Sequence, residues 1–235
     1  MRQWFRVDLP SGLAYLALGL AACNPSAPRL APVGVGPVTS EQVASWVGPT
    51  TPTSRALHRF KWLYNDKKQS AGGRGSVRIA PPDSLRFDAA GPLGAARSAA
   101  VVVGDSEIWV EPEKGIRDLI PNFPLLWAMF GVARLPDRGA ELWGLEEATR
   151  TYWTYASGAD TVEYLRVFEK PARFLAVVHH AGKITGRVET KFDDAGQLAR
   201  SRLVVPGAAA QLDLTFYANN PDASFPPEIW LRRQP

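Results

Sequence analysis

The chain has 235 residues, 46% of them apolar and 21% charged, with 20 glycines and 20 prolines, which excludes collagen, a coiled coil and a disordered polymer. Its 27 Lys and Arg against 23 Asp and Glu leave a net charge of +4, too small and too scattered for a nucleic-acid stripe. One cysteine and three histidines supply neither a disulfide framework nor a Cys/His zinc site.

At the amino terminus, Arg2 and Arg6 precede an uncharged run from Leu13 to Ala22. Such a run is well short of the roughly 20 residues a helix needs to cross the hydrocarbon core, so segment 1–22 reads as a signal peptide rather than a permanent span. Leu20-Ala21-Ala22-Cys23 resembles the lipobox of bacterial lipoproteins. The resemblance implies cleavage before Cys23 and lipidation of that residue by palmitate-like chains, two or three of which hold firmly where one does not. Asn24 in place of an aspartate favours the outer membrane, with the body facing the periplasm. Segment 23–38, with prolines at 25, 28, 32 and 37, reads as an extended, unpaired tether.

Residues 39–235 carry the folded body. Thr39 or Ser40 can cap a short helix through Val47, closed by Pro49 and Pro52. Beyond His58, short β-branched and aromatic runs alternate with Gly, Asp and Asn turns, predicting strands at 59–65, 75–80, 84–89, 98–103 and 107–111. Further strands are predicted at 150–157, 161–168, 173–179, 185–192, 198–205, 211–217 and 228–232. About a dozen strands in one domain require a large curved sheet. Between the two sets, residues 115–120 have helical spacing, and the uncharged FPLLWAMFGV of 123–132 must be enclosed on nearly every side. The fold class expected is therefore α+β: a single curved antiparallel β-sheet forming an open half-barrel, with short helices as lid or plug.

This order of tether, helix, strands, apolar insert and more strands resembles the LolA/LolB family of lipoprotein carriers and receptors, from about Arg55 to Trp230. Gly75 to Asp88, GSVRIAPPDSLRFD, looks like the family's paired strands joined by a proline turn. Gly91-Pro92-Leu93-Gly94 is similar to the Asn-Pro-Leu-Gly of the LolB branch, departing at its first position. That match implies a protruding loop on which Leu93 aids lipid insertion into a membrane. Leu125 to Gly131 also looks like the family's Leu/Trp/Gly segment, with one extra residue between Trp127 and Gly131.

The apolar inventory fits a hollow that takes up acyl chains, at about 0.8 kcal/mol per buried methylene. The candidate wall is Leu85, Phe87, Val101, Val103, Ile108, Trp153, Leu212, Leu214 and Phe216. The candidate lid is Ile116, Leu119, Phe123, Leu126, Trp127, Met129 and Phe130. Each of these residues alone is as well explained by core packing; their number favours a cavity. His179 and His180 point to opposite faces of a strand and do not chelate together, Asp193-Asp194 suits a hairpin turn, and Glu146-Glu147 suits a solvated pair. Lys67-Lys68 and Arg232-Arg233 could greet anionic headgroups, although such charges commonly serve solubility. No phosphate loop, Gly-x-Ser-x-Gly elbow or nucleophile and base at a uniting spacing is present.

The expected protein is thus a monomeric envelope lipoprotein without enzymatic activity, cofactor or metal. In the LolB-like reading it binds acylated lipoproteins or lipid, takes cargo from a periplasmic LolA-like carrier as a chaperone in protein transport, and releases it into the outer membrane. Glycolipid or another hydrophobic ligand in the same fold is the first alternative. A structural envelope lipoprotein with a filled core is the second, and a hydrolase a distant third.

Overall fold

The computed structural model describes residues 30–91, 97–111 and 122–231. Cys23, Leu93, Ile116 and Leu119, and with them the lipidation site, the protruding loop and the first lid segment, lie outside the described residues.

The expected open antiparallel sheet with few short helices is what the chain forms. Its strands are β1 (Gly36–Pro37), β2 (Ala56–Asn65), β3 (Ser70–Ala80), β4 (Ser84–Ala90), β5 (Ser98–Val103), β6 (Ser106–Glu111) and β7 (Glu141–Glu146). They continue as β8 (Arg150–Ser157), β9 (Asp160–Val167), β10 (Arg173–His180), β11 (Lys183–Phe192), β12 (Leu198–Val205) and β13 (Ala210–Pro221). The spatial order is β1-β7-β8-β9-β10-β11-β12-β13-β2-β3-β4-β5-β6. Two meanders, β2 to β6 and β7 to β13, are therefore joined side by side through the long β13–β2 pair, which runs from Gln211 opposite Asn65 to Pro221 opposite Ala56.

This order places β6 at one margin of the sheet and β7 beside the other. The chain between them must cross from margin to margin, and the face it crosses is the inner one. The short helix α2 (Phe123–Ala128) packs there against β10 and β11. Asn122 caps it, its Oδ1 accepting the Leu125 N–H at 3.1 Å, and Pro124 sits in the first turn, where no N–H is needed.

Helix α1 (Ser40–Val47) starts at Thr39 in a capping box: Thr39 Oγ1 accepts the Gln42 N–H and Gln42 Oε1 accepts the Thr39 N–H. It buries Val43, Trp46 and Val47. Trp46 donates its indole N–H to Glu146 Oε2 at 3.1 Å and lies 6.3 Å from Trp153, centroid to centroid.

Three expectations change. The 23–38 segment does not stay unpaired to its end, because Gly36 and Pro37 pair with Gly144 and Trp143, and the Val38 N–H donates to Leu142 O. The expected last strand is instead a 3-10 turn, Pro227–Trp230, entered through the adjacent Pro226 and Pro227, which have no N–H for a ladder. Strand β7 was not anticipated: ELWGLE is short, and its alternation is interrupted by Gly144.

Gly144 is required by packing. A Cβ there would stand 2.4 Å from the Trp46 ring, so any side chain lifts α1 off the sheet. Gly144→Val is expected to destabilise the fold by about 1–3 kcal/mol through overpacking, read as a lower urea midpoint with an unchanged slope.

Candidate functional site

Alternation gives most strands a polar outer face and an inner face that contributes to one buried cluster. Phe60, Val77, Leu85, Phe87, Trp153, Tyr164, Phe174, Leu203, Leu214 and Phe216 belong to that cluster, together with Leu125 to Ala128, Met129 and Phe130 of the crossing segment. Of the expected wall, Leu85, Phe87, Trp153, Leu212, Leu214 and Phe216 meet on this inner face, and of the expected lid Leu126, Trp127, Met129 and Phe130 do, with Phe123 packed against them.

Three wall candidates sit elsewhere. Val101 is buried, but it pairs with Arg86 and Trp109 on the outer face. Val103 is 39% exposed and Ile108 57% exposed. In β5 the run Ala-Ala-Val-Val-Val is apolar on both sides, so alternation could not tell its faces apart; Val102, paired with Leu85, is the inward valine. Ile108 lies at the bulge where Val101 pairs with Trp109 and Val102 with Glu107, leaving it without a partner across the ladder.

The crossing segment is held by polar contacts from the inner face. Thr190, fully buried, donates its hydroxyl to Ala128 O at 2.7 Å and lies 2.9 Å from the Ser201 hydroxyl. The Ala133 N–H donates to Thr50 Oγ1, and the Arg134 N–H to the Tyr164 hydroxyl. Trp127 donates its indole N–H to Gly104 O at 2.9 Å. Arg134 stacks over the Trp127 ring and pairs with Asp105 at 3.0 Å, fixing the exit of the segment to the β5–β6 turn. Burial pushes the Tyr164 phenol up to about 12, offset in part by the Arg134 N–H bond, so it stays protonated.

Beside Phe130 and Phe192 the packing opens into two clefts. One, of about 290 Å³, has an apolar floor of Ile79, Phe130, Val132, Phe192 and Leu198 under a hydroxyl-rich rim from Thr50 to Ser54. His58 lines it: burial lowers its imidazole pKa, countered by a 2.7 Å contact between Nδ1 and Asn219 Oδ1. Asn219 Nδ2 donates to Leu198 O, which fixes its amide so that His58 Nδ1 carries the proton. The other cleft, of about 360 Å³, is floored by Phe130, Phe174 and Phe192, with Arg166 and Arg173 at its mouth. Arg166 lies over the half-exposed Phe168 ring at 5.2 Å. Both volumes fall near the lower end of the range of small-molecule sites.

Between the clefts, Gly131 turns the chain at a φ of +76°, where a Cβ would meet Phe192 at 2.8 Å. Phe192, Val132, Leu198 and Thr190 were not anticipated as site residues. The Val188, Thr190 and Phe192 alternation in β11 carried the signal, although Thr190 reads as polar. The indole N–H of Trp153, buried in the cluster, has no hydrogen-bond partner among the described residues.

Three or more clustered His, Cys, Asp or Glu side chains suited to a metal do not occur among the described residues. His179 pairs with Glu163 and His180 with Asp160; Glu147 pairs with Arg150. Among the same residues no helix is long and apolar enough to cross a membrane.

No protein-family model matches the chain, and no curated protein matches it. Solved structures do. A LolA superfamily protein from Nitrosomonas europaea matches at 11% identity and a TM-score of 0.40, over 83% of this chain and 98% of its own. A DUF1329 family protein from Desulfovibrio piger matches at 8% identity and a TM-score of 0.45, over 81% and 95%. A candidate outer membrane lipoprotein-sorting protein domain from Vibrio parahaemolyticus matches at 7% identity and 0.37, over 82% and 97%.

Thr190→Val keeps the shape but leaves Ala128 O and the Ser201 hydroxyl without this partner. The expected cost is about 1–3 kcal/mol, with amide exchange accelerated in 123–133 ahead of the strands; equal exchange in both would remove Thr190 as the seat of the crossing segment.

Proposed function

We propose that the chain is a lipid-anchored envelope protein, held through Cys23 at the outer membrane and facing the periplasm, that binds acyl chains between its curved sheet and the crossing segment. The observation that carries this reading is the pair of aromatic-floored clefts flanking Phe130 and Phe192. They lead toward an interior closed by a helix of only six residues. A methylene entering from water gains about 0.8 kcal/mol, so several methylenes offset the rearrangement of a short helix. Arg166 and Arg173 at one mouth suit the polar end of an amphiphile, whose tail then lies on the phenylalanines.

In this reading the cargo is an acylated lipoprotein or lipid, delivered by a LolA-like carrier and released because the bilayer solvates the tail at least as well as the clefts do. The protein acts as a monomer and by binding alone, without catalysis. Native mass spectrometry of the Cys23→Ala chain is expected to show a co-purified acyl ligand. Leu93→Glu is expected to leave folding intact and abolish transfer of cargo into liposomes; undiminished transfer would exclude the LolB-like insertion step.

A second reading, a structural lipoprotein with a filled core, is favoured by the complete burial of Leu125, Trp127, Ala128 and Trp153. It expects a ligand-free mass and no partitioning of a dye that brightens in apolar cavities.

A further inference from the structure

On the face of the sheet turned away from the clefts lies a larger groove of about 610 Å³. Five arginines line it, Arg59, Arg74, Arg78, Arg86 and Arg97, against two carboxylates, Asp88 and Glu111, and Trp109 and Tyr217 add aromatic surface. Strand register gathers these charges. Arg78 stands opposite Arg86, Ser76 opposite Asp88 and Arg59 opposite Ser76, and residues paired across an antiparallel ladder project from the same face.

The carboxylate of Asp88 is already engaged. Arg86 grips it with Nε at 2.9 Å and Nη2 at 2.8 Å, and Arg78 Nη1 reaches it at 2.7 Å. Arg86 is only 4% exposed, lies over the Trp109 ring at 5.2 Å and donates Nη1 to the carbonyls of Ile229 and Leu231. Trp109 donates its indole N–H to Trp230 O. Arg86 and Trp109 thus form a fixed floor and fasten the C-terminal turn to the sheet.

Arg59, Arg74 and Arg97 are different. They are exposed, and their guanidinium groups make no ion pair among the described residues. With five arginines against two carboxylates the lining carries an excess of positive charge, which an anion from outside would offset. A guanidinium fork matches the oxygens of a phosphate, and the hydroxyls of Ser76 and Ser98 stand in the same lining. The volume exceeds what a bare ion fills, and Trp109 and Tyr217 offer a surface for an organic portion.

We infer that this outer groove binds a phosphate ester, its phosphate held by Arg59, Arg74 and Arg97 and its organic part laid against Trp109 and Tyr217. The site is independent of the acyl clefts, and it stands or falls separately from them.

The test uses the full chain in neutral detergent. Inorganic phosphate and glycerol 3-phosphate are titrated calorimetrically, and mixed micelles containing phosphatidic acid are compared with micelles containing phosphatidylcholine. Binding of glycerol 3-phosphate identifies a soluble ester, whereas binding of phosphatidic acid micelles alone identifies a lipid headgroup; either supports the site. Arg59→Gln with Arg74→Gln, both exposed, is expected to weaken binding about tenfold or more, and salt is expected to weaken the wild-type interaction. Lys183→Gln removes an exposed cation from the start of β11, away from the groove lining, and should change nothing. If no phosphate probe binds, or if Lys183→Gln costs as much as the double substitution, the inference is overturned.

Discussion

One topological constraint governs the molecule: the strand that ends the first meander lies at one margin of the sheet, and the strand that begins the second lies next to the other margin. The connection must traverse the mouth, and a chain crossing an apolar concavity has to be apolar itself and yet leave no backbone group unmet. Residues 123–134 satisfy both demands. Leu125 to Phe130, Val132 and Ala133 join the inner cluster, while Thr190, Thr50, Tyr164 and Gly104 from the surrounding shell meet polar groups of the segment. The interior is consequently shared between sheet and crossing segment, and any guest competes with that segment for the same aromatic surface.

The two faces of the sheet divide the chemistry. Inside, stacked and edge-on rings form two groups, one with Tyr164 on Phe174 and Trp153, the other with Phe216 on Phe60 and Phe130. Outside, charge is arranged in knots: Tyr152 and His179 on Glu163, and Arg200, Arg202 and Gln211 on Asp213. In Asp213, burial works against ionisation, but the two arginines and Gln211 outweigh it and hold the carboxyl below its ordinary range. The arginine groove departs from this pattern in that Arg59, Arg74 and Arg97 line it without an ion pair among the described residues.

Much of this was legible because period-two alternation is a direct imprint of a half-buried strand. Strands 98–103, 150–157 and 198–205 coincide with expectation to the residue, and FPLLWAMFGV announced its own enclosure. The misplacements share one cause: where both faces are apolar, as in Val101 to Val103, or a bulge breaks the count, as at Ile108, alternation no longer says which side faces in. Strand β7 escaped because Gly144 makes room for Trp46, a contact nearly a hundred positions away. The clefts depend on Phe192 meeting Phe130, and the outer groove on register between β2, β3 and β4; neither kind of information is local in the chain.

An open sheet this wide has two margins where unpaired backbone could template a foreign strand, the usual starting point for fibre growth. At one margin stands β1, only two residues long, and one of them is Pro37, which has no N–H to offer. At the other, β6 is interrupted by its bulge and brackets Ile108 between Glu107 and Glu111. Where the described chain leaves its sheet unfinished, it does so with elements that resist extension, so that thirteen strands need not close into a ring to blunt their edges.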